Sequence, residues 1–471
     1  MSDGNDELVA QIDEFVESYR KRNMVPGIAV AVTQGGNVVH VQGYGADSNG
    51  NPVDANTVFP IASLSKSFTA LAVMQFVERG IVALDEPVVS YLPEFVMADE
   101  RAQTITLRQL LTHTSGLSDR SFPEKSLPQP HTLSAAVARL APAGLEVAPG
   151  GANRYHNPNY QIVARLIEVL SGEPFDEYMR QNVFEPIGMI DARTIASLEQ
   201  DSRVSNGHIR FFGLPVSMPE PYWFLEGSSG VVTTASDMSN WLQMLNNSGR
   251  TFDGGQVISP ESLEVMFTPT DIRSRRGLGW SIRNDGEVHQ VQHTGWLFTY
   301  TANHTLLDHG ELGIFAVAST GIGLAAADAD MIVEGLQSIL LSGDQVRAGL
   351  PFGLLGGIAI IILIVLTSLR GVWRLRKIEK IVERRQYWPV WKKVVWLLPM
   401  LVPVVFLVYL RNLLSWLFGG RDGTWLQTVY VASPLIVWLG VLILVNFVFL
   451  MKYVNCENRY GRENRIQSRH T

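Results

Sequence analysis

From Ala348 to Leu369 the chain runs without a single charged side chain. As a helix this stretch measures about 33 Å, enough to cross the hydrocarbon core of a bilayer. In lipid every backbone N–H and C=O has to find a partner inside the protein, so helix is the form open to one isolated segment. Two more apolar runs follow: Val394–Leu410, which contains Pro399 and Pro403, and Thr424–Met451, which is long enough to tilt. Three transmembrane helices are therefore expected, over residues 346–370, 394–410 and 424–451. The middle run, at about 17 residues, is short enough to be re-entrant or interfacial instead. Lysine and arginine are dense between Arg370 and Lys393, whereas Arg411 and Arg421 are the only basic residues between the second and third runs. Because positively charged loops stay in the cytoplasm, the loop 371–393 and the tail 452–471 belong inside, and the loop 411–423 outside. An odd number of crossings then places residues 1–345 on the extracytoplasmic side. Against this, the chain opens Met-Ser-Asp-Gly-Asn-Asp-Glu, with neither a basic nor an apolar export segment. The expectation is that a signal peptide was removed ahead of it.

Charge separates the two regions. Residues 1–347 carry 22 basic against 40 acidic side chains, a net of −18, and the remainder carries 16 against 5. An acidic body repels phosphate backbones, and the basic residues of the tail are interleaved with apolar spans, so the expected partner is a lipid bilayer and not nucleic acid. Cys456 is the only cysteine, which rules out an intramolecular disulfide. Histidines show no His-Glu-x-x-His or similar spacing, so no metal and no cofactor are expected.

The water-soluble part reads as α+β. Leu8, Val9, Ile12, Phe15, Val16 and Tyr19 recur at helical spacing up to the break at Pro26, and the runs Ile28–Val32 and Val38–Tyr44 flank Gly35-Gly36-Asn37 as a hairpin. Near the end, Leu278–Ile282 and Val288–Gln292 flank Asn284-Asp285-Gly286, while Phe298–Leu307 and Leu312–Ser319 flank Asp308-His309-Gly310. A helix over Ala325–Leu341 follows. One antiparallel sheet built from both ends of the domain, with the terminal helices on one face, satisfies these signals. The middle, about 60–265, is expected to form a mainly helical lobe.

Ser63 opens a helix whose apolar positions Phe68, Leu71, Val73, Met74 and Val77 face a core, and Lys66 lies one turn on, on the same face. A serine hydroxyl becomes a nucleophile when a base takes its proton, and an amine at i+3 reaches it if burial and neighbouring cations hold that amine neutral. The helix N-terminus adds backbone NH groups where an oxyanion would develop. By itself Ser-x-x-Lys equally describes an N-capping serine followed by a surface lysine. Two further elements bear on the choice: Tyr155-His156-Asn157 after Pro149-Gly150, and His293-Thr294-Gly295-Trp296 on an expected edge strand. Read alone, Tyr155 and Asn157 also fit an aromatic core residue and a turn amide.

In this order and at these separations, the three elements resemble the serine beta-lactamase and penicillin-binding-protein superfamily, in its class C-like branch of D-aminopeptidases and esterases. Leu110-Leu111-Thr112-His113-Thr114-Ser115-Gly116-Leu117 and Gly230–Asp237 look like landmarks of the same family, and the likeness covers roughly residues 8–342. It implies a beta-lactamase-like fold and an acyl-enzyme on Ser63. Lys66 and Tyr155 would shuttle the proton, Asn157 would orient Lys66 and the substrate amide, and the NH groups of Ser63 and Trp296 would form the oxyanion hole. Tyr155 serves as a base only where cations favour the phenolate, and Lys66 and His293 are the candidates. His293 stands where many members carry lysine; a histidine is mostly neutral at pH 7, which favours amide or ester substrates without a free C-terminal carboxylate. Tyr222–Leu225 and Trp296–Phe298 could line an apolar pocket or belong to the core. The hydrolase domain followed by three membrane helices resembles prodrug-activating peptidases of nonribosomal peptide maturation, the colibactin-maturation type among them. The family implies a bacterial cytoplasmic membrane, and a small peptide, acyl-peptide or ester as substrate. A beta-lactamase or D,D-carboxypeptidase, a non-turnover beta-lactam sensor and an inactive scaffold are the competing expectations.

Overall fold

Helical spacing of apolar residues produces helix α1 (Ser2–Asn23), from which Met24 and Pro26 turn the chain into strand β1 (Gly27–Gln34). The computed structural model describes residues 2–270, 275–284, 289–323, 327–343 and 349–467. Strand β2 (Asn37–Gly45) returns antiparallel to β1 through Gly35 and Gly36, whose φ values of 55° and 74° are the pair of left-handed positions a two-residue hairpin turn requires. Helices α2 (Ser65–Glu78), α3 (Pro158–Ser171) and α4 (Ala235–Asn246) are the longest of the intervening lobe. The chain then re-enters the sheet as β3 (Ser281–Asn284), β4 (His289–Trp296), β5 (Thr301–Leu307) and β6 (Leu312–Ala318), and closes the domain with α5 (Asp328–Ser342).

The six strands lie in the order β2-β1-β6-β5-β4-β3, every neighbouring pair antiparallel. Both faces are covered. Ile28, Val30 and Val32 of β1 pack with Ile12, Phe15 and Val16 of α1 and with Ile332 and Leu336 of α5, whereas Ala29 and Ala31 face the larger core shared with α2 and α4. The alternation along β1 therefore divides two cores instead of separating core from water, and the strand reads as continuously apolar. Residues from both ends of the domain share one sheet with the terminal helices on one face, as the sequence predicts. Strand β3 pairs only with the first half of β4, ending at Ser281 opposite Gln292, so His293–Trp296 have no strand neighbour on that side among the described residues.

Local differences from the expectation have identifiable causes. The strand expected at Leu278 starts at Ser281, because Leu278 donates its N–H to Met266 and Gly279 (φ 83°) passes so close to α2 that a Cβ would lie 3.0 Å from the Lys66 carbonyl. The strand expected from Phe298 starts at Thr301, after a tight turn in which the Leu297 N–H donates to the Tyr300 carbonyl at 2.9 Å. Asp285, Gly286, Val288, Ala325 and Ala326 lie outside the described residues. The mainly helical lobe also holds a hairpin, Gly207–Phe211 with Leu214–Met218, that hydropathy did not announce.

Three C-terminal helices are long and apolar enough to cross a membrane. The first, α6 (Phe352–Arg376), continues past the uncharged run into its arginines. The second is a relay of α7 (Val390–Leu397), a 3₁₀ turn at Leu398–Leu401 and α8 (Val402–Leu417), interrupted where Pro399 and Pro403 remove backbone donors. It spans Val390–Leu417, longer than the run 394–410 expected from hydropathy. The third, α9 (Trp425–Gln467), is distorted at Ala432, two residues before Pro434, and extends well beyond Met451. The N-terminal end of α6 lies against the hairpin 207–218, where a Cβ on Gly357 would come within 2.1 Å of the Phe212 carbonyl. Tyr430 of α9 donates to the Pro219 carbonyl at 2.9 Å.

The Phe15 ring fills the space left by Gly335 of α5, where a Cβ would come within 1.9 Å of it. Phe15→Ala opens a cavity between α1, α5 and the sheet and is expected to cost about 3–5 kcal/mol, read as a lowered thermal midpoint of the purified full chain.

Candidate active site

Ser63 sits in a single 3₁₀ turn, Ala62–Leu64, that runs directly into α2. Ala62 holds a φ of 51°, a left-handed conformation that costs a residue with a Cβ about 1–2 kcal/mol. The sharp entry is locked from two sides. The Ser65 hydroxyl donates to the Ala62 carbonyl at 2.6 Å, and its oxygen accepts the Val231 N–H at 2.9 Å, within the Gly230–Asp237 segment singled out from sequence. On the other side β4 presses against the turn at Gly295, where a Cβ would lie 2.5 Å from the Ile61 carbonyl. Only glycine permits this approach, which seats β4 on the turn that carries Ser63.

Lys66 is fully buried. Its ammonium nitrogen lies 3.1 Å from Ser63 Oγ, 3.0 Å from Asn157 Oδ1 and 2.8 Å from the Ser228 carbonyl. Burial drives its pKa well below that of an ordinary lysine; the Arg421 and Arg276 guanidiniums push the same way and Glu124 opposes them. The Asn157 amide is itself oriented, its Nδ2 donating to Glu124 Oε1 at 2.7 Å. Tyr155 packs against His113 with ring centroids 4.3 Å apart and planes tilted by 37°, and Lys66 Nζ stands 4.9 Å from its ring centre. Burial raises the Tyr155 phenol, and Arg421, a hydrogen bond with Ser63, Arg276 and Lys125 all act to bring it back down.

His113, from the Leu110–Leu117 segment, has a positive φ of 58° that turns its ring inward, and its Nδ1 accepts the His156 N–H at 3.2 Å. That contact fixes the backbone between Tyr155 and Asn157. His293 is buried with Nδ1 2.8 Å from the Thr294 carbonyl; desolvation and the nearby Lys66 charge hold its pKa well below the usual histidine value. It is therefore neutral, as expected, and cannot be one of the cations acting on Tyr155. That correction follows from its burial: the fixed cations over the Tyr155 ring are Arg421 at 5.0 Å and Arg276 at 5.8 Å, with the Lys66 nitrogen beside them. Thr294 pairs across the ladder with Asn303, and the Trp296 indole is exposed and donates to Asp330 at 3.2 Å. Among the apolar residues noted from sequence, Trp223 and Phe298 hold the Lys125 ammonium between their rings, at 4.7 and 5.4 Å from the ring centres, while Phe224 and Leu225 belong to the core.

Of the eight residues predicted for the site, Ser63, Lys66, Tyr155, Asn157 and His293 come together between the helical lobe and the edge of the sheet, Gly295 packs on the turn that carries Ser63, and Thr294 and Trp296 flank it on β4. Sequence reasoning missed the Ser228 carbonyl, Glu124, His113 as a ring partner, Arg276 and Arg421. Among the described residues no cluster of three or more histidines, cysteines or acids has the geometry to hold a metal.

Such a site, a serine on the turn that leads into a buried helix with an amine at its oxygen, fits a serine hydrolase. The chain belongs to the beta-lactamase family, whose description "Beta-lactamase" matches residues 12–335. Penicillin-binding protein 4 of Amycolatopsis lactamdurans is 32% identical over 264 residues, covering 55% of this chain and 69% of that protein. The putative penicillin-binding protein PbpX of Bacillus subtilis is 28% identical, covering 59% of this chain and 68% of that protein. Among solved structures, the octameric penicillin-binding protein homologue from Pyrococcus abyssi superposes with a TM-score of 0.59 at 24% identity, over 72% of this chain and 78% of that one. The hydrolase EstCE1 superposes with a TM-score of 0.60 at 18% identity, over 71% of this chain and 99% of that one.

Gly295→Ala is expected to lift β4 off the Ser63 turn; a displacement of about 1 Å at the reacting atoms lowers rate roughly a hundredfold. Fluorophosphonate labelling of the variant beside the wild type checks this.

Proposed function

We propose that this chain is a membrane-anchored serine hydrolase that cleaves amides or esters of D-amino-acid-containing or N-acylated peptides through an acyl-enzyme on Ser63. The observation that carries the reading is the buried Lys66 amine on Ser63 Oγ beside a neutral His293. Ser63 Oγ attacks the carbonyl carbon as its proton passes to the Lys66–Tyr155 pair. The tetrahedral oxyanion is held by the NH groups of Ser63 and Trp296, and the pair returns the proton to the leaving amine or alcohol. Water then hydrolyses the acyl ester by the same route. With no cation at His293, nothing on that strand selects a free substrate carboxylate, which favours internal or capped carbonyl groups over C-terminal carboxypeptidase substrates. The names of the penicillin-binding relatives favour a second reading, slow acylation by beta-lactams or D,D-peptides.

We further propose a bacterial cytoplasmic membrane with the hydrolase domain, residues 1–345, on the outer side and the family hydrolysis taking place there. Two observations support that arrangement. The C-terminal end of α8 and the loop that follows it meet the hydrolase domain, Arg411 of α8 and Asp422 of the loop both bonding Ser126. At the opposite ends of the helices, Lys393 pairs with Glu457, and Glu379 with Arg459 at 3.3 Å, so the basic loop and the tail share one side.

Intact mass spectrometry with a fluorophosphonate, a beta-lactam and an N-acyl-D-aminoacyl amide tests the reaction. A transient adduct with release of amine, absent in Ser63→Ala, is expected. A lasting beta-lactam adduct with no amide turnover moves the assignment to the second reading, and undiminished labelling of Ser63→Ala removes Ser63 from the mechanism. The depressed Lys66 pKa also sets a pH profile. The free amine is the base, so the acylation rate should rise with pH through that lowered pKa and level off well below the ordinary lysine value of about 10.4. Tyr155→Phe should lower the plateau by about 10²–10⁴-fold.

A further inference from the structure

Arg421 lies on the loop between α8 and α9, yet its side chain enters the hydrolase site. Its Nη1 donates to the Tyr155 carbonyl at 2.8 Å, its Nη2 to Glu124 Oε1 at 3.2 Å, and its Nε lies 3.1 Å from Asp119 Oδ2. Asp119 and Glu124 are both buried, and neither Asp119 oxygen finds a hydrogen bond among the described residues. The Asp119 carboxylate therefore depends on the guanidinium charge, with His156 at 3.8 Å as its other ionisable neighbour. The loop is seated independently of Arg421. Asp422 accepts the Ser126 N–H at 2.9 Å, Arg411 reaches the Ser126 hydroxyl and Asp422 at 3.1 Å, and Tyr430 is tied to Pro219. This anchoring places the Arg421 guanidinium carbon 5.0 Å from the centre of the Tyr155 ring.

We propose that Arg421 is a positioning residue of the hydrolytic site, supplied by the membrane-helix region, so that the site is complete only when that region is docked on the hydrolase domain. The inference rests on the assignment of Lys66 and Tyr155 as the proton-transfer pair. A fixed cation at this place disfavours the charged form of Lys66 and favours the phenolate of Tyr155, and both effects lower the pH at which the pair can accept a proton. Arg421 is the foremost charge acting on each of the two groups. The other groups facing the pair come from separate elements: Glu124 and Lys125 from one loop, Arg276 from the segment before β3, and His113 and His293 against the Tyr155 ring. Both of these histidines are held neutral by burial, so the remaining fixed cation is Arg276, with Lys125, whose own pKa burial lowers, beside it and Glu124 opposing them.

The test uses the full chain in detergent and the rate of fluorophosphonate adduct formation against pH. In Arg421→Gln the acid limb should move up by about one pH unit, a loss of about tenfold at pH values below the limb that is regained on raising the pH. Arg421→Lys, which keeps the charge, should restore most of the shift. If Arg421→Gln fails to fold because Asp119 is left without its partner, the double variant Asp119→Asn/Arg421→Gln removes both charges and should show the same displaced limb. A limb that stays in place while the rate falls uniformly at every pH, or a wild-type profile in the variants, overturns the proposal. Failure of the wild type itself to form a Ser63 adduct would instead overturn the reaction assignment on which it rests.

Discussion

An ammonium group removed from water must either lose its proton or be given acceptors on every side. Lys66 has been given three, a hydroxyl, a side-chain amide and a main-chain carbonyl, from three parts of the chain. Each acceptor is in turn held by something else: Ser63 by the turn ahead of α2, Asn157 by Glu124, and Ser228 by the segment that leads into Val231. The fold around the cleft is the set of supports this one side chain needs. That also explains why α2 is buried nearly all round instead of along one stripe. The helix is a central post, and its side chains pack against the lobe on one flank and against the sheet and α4 on the other.

Much of the architecture was legible because it is written in local terms. The hairpin of β1 and β2 is announced by two adjacent glycines, and both need the left-handed backbone that the turn imposes. The terminal helices and the strands β5 and β6 are apolar at the spacing of their element. What was not legible depends on approach between distant segments. The late starts of β3 and β5 follow from the contact of Gly279 with α2 and from the turn at Leu297–Tyr300, neither of which has a hydropathy signature. The hairpin 207–218 has exposed residues on both strands and gains its support from α6, so no alternation marks it.

The site divides in the same way. Ser63, Lys66, Tyr155, Asn157 and the strand 293–296 occur as short motifs and could be assembled by resemblance. The groups that tune them could not. Glu124 stands in a loop without pattern, and His113 was visible only as part of a landmark with no role attached. Arg421 entered the sequence reading merely as one of two charges that fixed the direction of a membrane crossing. Its approach to Tyr155 spans 266 positions and needs the apolar helices to be in place. His293 erred in the opposite sense. Its residue type suggested a cation for Tyr155, and the burial that makes it part of the cleft is what keeps it uncharged.

Chain order gives the placement of Arg421 a temporal meaning. More than 350 residues separate it from Ser63, and two of the three apolar helices are made in between. At ribosomal speeds of about 5–20 residues per second, the hydrolase domain is complete on the order of ten seconds before the loop that reaches into its site. A newly made domain therefore spends its first moments with the serine assembled but its cationic neighbour still unsynthesised. Under the role proposed for Arg421, the last stretch of chain to be made doubles as a start signal, and the site is switched on only in the finished protein.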